Sequence, residues 1–138
     1  MPETSRQARM ARLWLERAQA DLAGARVLLY AMDPDTPPWL VAFHAQQAAE
    51  KAIKALLTLS SIQPPQSHSL VALKAMLPRG TDLGVSDERL TELTDYAVAV
   101  RYVPELSQLQ DPTWTDAEAA VAAARAILDV ATAQIRGN

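Results

Sequence analysis

Proline punctuates this chain and confines regular structure to the stretches between its prolines. It clusters at Asp33 to Pro38 and at Gln63 to Pro65, and recurs at Pro78, Pro104 and Pro112. A proline inside a helix removes a backbone donor and clashes with the preceding turn, so each cluster marks a joint. The stretches between the joints carry apolar residues at three- and four-residue spacing, which is the period of a helix with one buried face.

The first such stretch predicts a helix from about Ser5 to Met32, with Trp14, Ala18, Leu22, Ala25, Leu28, Leu29 and Met32 on its apolar side. A second, roughly Pro38 to Ser60, carries Val41, Ala45, Ala49, Ala52, Leu56 and Leu59, while Ala48 and Ala55 allow a neighbour to come close. A short third helix is expected to start near Ser67 as its cap and to bring in Leu70, Leu73 and Leu77 before Pro78. Ser86 with Asp87 and Glu88 reads as the cap and first turn of a fourth, whose stripe is Leu90, Leu93, Ala97 and Val100. The last is expected to open on Thr115-Asp116-Ala117-Glu118 as a capping box and to run through Val121, Ala124, Leu128, Ala131 and Ile135 to Gly137.

No stretch alternates in the manner of a strand, and there is no internal repeat. Four long helices and one short one predict an all-α fold, an antiparallel up-and-down four-helix bundle with one additional short helix. Apolar residues are 49% of the chain and charged residues 21%, enough to fill one core, so residues 1–138 are expected to form a single domain.

Charge and residue usage exclude several kinds of function. A net charge of -3 gives no global attraction to nucleic acid or acidic membranes, so any anion site must be local. Without cysteine there is no disulfide, thiolate metal site or cysteine nucleophile. The amino-terminal region, charged at Glu3, Arg6, Arg9 and Arg12, lacks the apolar core of a secretory signal, and no later run is long enough to span a bilayer. A cytoplasmic protein is expected. The two histidines, His44 and His68, lack metal-ligand spacing, and there is neither a glycine-rich phosphate loop nor a G-x-S-x-G nucleophile turn, so no metal or cofactor is expected.

Three groups of segments resemble the HEPN family, the higher eukaryotes and prokaryotes nucleotide-binding domain. They are WLERAQADLAGA at Trp14 to Ala25, FHAQQAAEKAIKALL at Phe43 to Leu57, and the later pair SHSLVAL at Ser67 and RYVPE at Arg101. Their order and separation fit as well, so the resemblance spans Leu13 to Ile135. It implies a helical bundle, frequent homodimers and a role in binding nucleotides or RNA, often beside a minimal nucleotidyltransferase.

Some members of that family are toxin ribonucleases with an arginine followed after four to six residues by histidine. For His44 and His68 the required arginine would stand at positions 37–39 or 61–63, which read Pro37-Pro38-Trp39 and Ser61-Ile62-Gln63. The ribonuclease signature is absent, and no histidine here inherits the role of catalytic base.

Asp21 projects within the arc set by Trp14, Ala18, Ala25 and Leu28, and a carboxylate there needs a partner, for which Arg101 is the first candidate. That pair either fixes the bundle or presents a guanidinium to a phosphate, with Tyr102 stacking on a base or packing at the helix end. His44, Gln47, Lys51 and Lys54 follow one another at spacings of three, four and three, a cationic stripe that either contacts a phosphate or RNA backbone or is simply solvated. Glu50, at its edge, is placed to pair with Lys54. His68 is expected to help cap the short helix rather than to catalyse.

The expected function is that of a non-catalytic nucleotide- or RNA-binding accessory partner of a minimal nucleotidyltransferase, acting as a homodimer. The ligand-binding candidates are Asp21, His44, Gln47, Lys51, Lys54, Arg101 and Tyr102. The alternatives are a divergent ribonuclease of toxin type and a purely structural helical adaptor.

Overall fold

A computed structural model describes residues 2–99 and 110–137. Arg101, Tyr102 and Val100 lie outside them. The described residues form helices α1 (Pro2–Ala31), α2 (Pro38–Leu59), α3 (Leu70–Ala75), α4 (Asp87–Ala99) and α5 (Trp114–Arg136), with no strand among them. The architecture is the expected helical bundle, with α3 as the short extra member.

The central element is α2, which packs against all four other helices, while α1 also touches α5, and α3 touches α4. Its composition explains its place, because a helix that is apolar around most of its circumference belongs inside. Val41, Ala42, Ala45, Ala48, Ala49, Ala52, Ile53, Ala55 and Leu57 are fully buried. Alanine on several sides lets neighbouring backbones come close, while Ile53, Leu56 and Leu57 each contribute about 1.5–3 kcal/mol relative to exposure. The surrounding helices supply one stripe each: Ala11, Leu15, Ala18, Leu22 and Ala25 from α1; Leu90, Leu93 and Ala97 from α4; and Ala117, Val121, Ala124, Ile127, Leu128, Ala131 and Ile135 from α5.

The helix ends differ from expectation in four places. α1 begins at Pro2 rather than Ser5, because proline's missing donor costs nothing in a first turn. It ends at Ala31, after which Met32 turns left-handed (φ 46°) and swings its side chain into solvent instead of extending the core stripe. The cap of α3 is Ser69, whose hydroxyl accepts from the Ala72 amide at 3.3 Å, while Ser67 accepts from the Ser69 amide one step earlier at 3.2 Å.

The capping box of α5 is built from Thr113 and Asp116, not from Thr115 and Glu118. Asp116 N donates to Thr113 Oγ1 at 3.1 Å, and Thr113 N donates back to Asp116 Oδ2 at 2.9 Å. Both pairs have the required spacing, and the earlier one starts the helix immediately after the buried Pro112. The Ser86 cap of α4 is as expected, its hydroxyl accepting from the Arg89 amide at 3.1 Å.

Candidate functional site

Four polar residues, Gln46, Glu50, Lys54 and Thr58, interrupt the apolar surface of α2 at intervals of four, and all four are buried. That spacing stacks them along one side of the helix, so their polar groups reach one another. Lys54 Nζ donates to Glu50 Oε2 at 3.1 Å, Gln46 Nε2 donates to Glu50 Oε1 at 3.2 Å, and Thr58 Oγ1 donates to the Lys54 carbonyl at 2.9 Å. Gln47 closes the row by donating to Gln46 Oε1 at 2.7 Å.

The network extends beyond its own helix. His68, on the loop before α3, places Nδ1 2.8 Å from Glu50 Oε1, and its carbonyl accepts from Gln46 Nε2 at 3.4 Å. On the other side Lys54 Nζ lies 5.7 Å from the centre of the Trp14 ring on α1, a cation–π contact. One carboxylate thereby links α1, α2 and the loop leading to α3. No buried side-chain nitrogen or oxygen among the described residues lacks a hydrogen-bond partner.

Burial would raise the Glu50 carboxyl above its ordinary range. Hydrogen bonds from His68, Gln46 and Lys54, together with the Lys54 charge, outweigh that effect and hold it below. A carboxylate kept ionised only accepts hydrogen bonds, so His68 Nδ1 carries the proton between them. These properties suit a structural anchor and oppose a general base, which needs a raised pKa.

Among the expected site residues that the structure describes, two are brought together directly. Asp21 is paired with Lys51, whose Nζ donates to Asp21 Oδ2 at 2.5 Å across the α1–α2 contact. The partner that Asp21 needs is met by a lysine on the neighbouring helix, because α1 and α2 lie side by side at this level and bring the two side chains together; Arg101, the first candidate, lies outside the described residues.

Lys54 belongs to the buried row, not to a solvated stripe, because the Glu50 carboxylate and the Trp14 ring together compensate for its burial. Gln47 is half-buried, and His44 meets the Phe43 ring edge-on with centroids 5.7 Å apart. The expected stripe therefore divides, with both lysines neutralised by carboxylates. The cap of α3 falls to Ser69, and the His68 ring turns to Glu50 instead. Sequence reasoning missed Gln46 and the role of His68. The four-residue interval of Gln46, Glu50, Lys54 and Thr58 within an apolar helix was the available signal.

Beside this network lies a cavity of about 540 Å³ between the first turns of α1 and the end of α2. Arg6, Gln7, Met10 and Trp14 form one wall, and Thr58, Ser61, Ile62, Gln63 and Pro64 form the other. Trp14 and Thr58 belong to both features, since each also contacts Lys54. Ser61, at φ 60°, turns the chain left-handed there, and the Ile62 amide bonds the Leu57 carbonyl at 2.9 Å.

Fold and site together define a helical-bundle protein built around a polar network on its central helix. The HEPN domain model matches residues 11–134, and the chain belongs to the HEPN family. It is similar to TT1696 from Thermus thermophilus, with 33% identity over 88% of this chain and 95% of that one, at a TM-score of 0.71. It is also similar to ST0689, an archaeal HEPN homologue, with 28% identity over 91% of this chain and 97% of that one, at a TM-score of 0.68. No curated protein matches the sequence.

Proposed function

We propose that this HEPN protein is a non-catalytic nucleotide- or RNA-binding accessory partner of a minimal nucleotidyltransferase, acting in the cytoplasm as a homodimer. The observation that carries the reading is the cavity beside the buried network, where the Trp14 indole and the Arg6 guanidinium line a common space. An indole stacks on a base, and a guanidinium takes a phosphate in its fork of donors. The cavity's volume falls within the range of small-ligand sites.

Lys51, Gln47 and His44 flank the α1–α2 contact and extend the reading to a longer ligand. A phosphate reaching Lys51 competes with Asp21 for it. Arg101 and Tyr102 keep the roles their residue types suggest, a phosphate fork and a stacking ring.

Titration of the purified protein with nucleoside phosphates and short single-stranded RNA tests this, using Arg6→Ala, Trp14→Phe, Lys51→Ala and Arg101→Ala. Weaker binding in Arg6→Ala and Trp14→Phe is expected. Unchanged affinity in all four variants rejects the site. Copurification with a minimal nucleotidyltransferase tests the partner. Metal-independent RNA cleavage that is lost in both Arg101→Ala and His44→Ala would establish a ribonuclease instead.

A further inference from the structure

Gly24 stands in the interior of α1, where glycine is a poor helix residue, and among the described residues no atom outside its own stretch of helix backbone lies within 4 Å of the position its missing Cβ would take. Nothing among the described residues therefore requires a glycine there. Leu13, Ala20, Val27 and Ala31 share that side of the helix and are exposed, as Gly24 is. The other sides of α1 pack on α2 and α5.

Exposed apolar bulk is concentrated on the same element. Among the described residues, Met10, Leu13, Val27, Tyr30 and Met32 are large apolar side chains left exposed on α1 or just after it, and Met76 is the other. Leu13 is 55% exposed and Val27 67%. Between Met10, Leu13, Trp14 and Arg17 lies a shallow groove of about 370 Å³.

We propose that this face of α1 pairs with the same face of a second copy, antiparallel and about a two-fold axis near Ala20. The proposal rests on the homodimer in the reading above and names its surface. In that register Leu13 lies opposite the partner's Val27, and the groove beside Leu13 receives that valine. Ala20 and Gly24 let the two backbones approach closely, which accounts for glycine where the isolated chain has no use for it.

Charge sets the direction. Arg6, Arg9 and Arg12 stand near the amino-terminal end of α1, where the helix dipole disfavours cations, while Asp33 and Asp35 follow its carboxyl-terminal end. Antiparallel pairing brings the arginines of each copy to the acidic end of the other. A parallel pair would set like charges together. One helix pair is a small interface, so a concentration-dependent dimer is expected.

The chain has no cysteine, so a single introduced one reports its own neighbours. Under mild oxidation Ala20→Cys should give a covalent dimer, and Ala122→Cys, exposed on α5, should not. In sedimentation over a dilution series, Val27→Asp should remain monomeric while keeping the helical circular dichroism of the parent. Arg9→Glu should weaken dimerisation about tenfold, since the two-fold axis counts each change twice, and adding Asp33→Arg should restore it. A parent chain that sediments as a monomer throughout overturns both the homodimer and this face. A dimer in which Ala20→Cys crosslinks no better than Ala122→Cys overturns the face alone.

Discussion

His68 Nδ1 lies 2.8 Å from Glu50 Oε1, and the two residues stand eighteen positions apart in the chain. The same carboxylate holds Lys54 through its other oxygen. The loop before α3 is thereby tied to the middle of the central helix, and Lys54 has a carboxylate partner in a buried position.

Replacing Glu50 with alanine leaves Lys54 buried without its counter-ion and removes the acceptor for His68 and Gln46. A loss of about 3 kcal/mol is expected, the cost typical of breaking one side of a buried pair. Urea denaturation of Glu50→Ala beside the parent measures it, and a difference below about 0.5 kcal/mol would contradict the network's structural role.

Asp21→Asn affects a more exposed pair, with side chains 22% and 27% exposed at Asp21 and Lys51. The expected loss is below about 1 kcal/mol. Added salt should reduce the Asp21→Asn effect more than that of Glu50→Ala, and equal salt dependence would argue against the difference in burial.

Acid should weaken the fold through Glu50. Its native pKa is depressed, so the stabilisation is complete above the ordinary carboxylate pKa and is lost as pH falls through the native value. In that window the unfolded chain takes up the proton first. Thermal melts from neutral pH into the acid range should show a steeper loss for the parent than for Glu50→Gln, and parallel curves would reject the linkage.

Thr113→Ala should cost about 1 kcal/mol by removing the capping box of α5. Thr115→Ala, within the first turn, should cost less. Denaturation of the two variants decides which threonine starts the helix.

Gly24→Ala should stabilise the isolated monomer by about 0.5–1 kcal/mol, since the added methyl meets no atom and alanine favours the helix. Denaturation at concentrations where the chain is monomeric measures it. A destabilised monomer would show that Gly24 serves the chain's own fold.

The number, order and approximate span of the helices were legible in proline placement and apolar period, because both act over a few residues. Leu90, Leu93, Val121, Leu128 and Ile135 could be assigned to the core for the same reason. Sequence set the capping box of α5 at Thr115 and Glu118, whereas the structure forms it from Thr113 and Asp116, directly after the buried Pro112. The site was less legible. Sequence paired Lys54 with Glu50 but left their stripe open to either a ligand or solvent, and it asked for a partner to Asp21 without finding Lys51, because a helix viewed alone has no neighbours to bury its polar side. Only the tertiary structure decided that α1 covers Lys54 with Trp14 and meets Lys51 with Asp21, and that a loop returns to set His68 against Glu50. Local sequence determines which residues can be helical, whereas the pairing of buried charges depends on which surfaces the folded chain brings together.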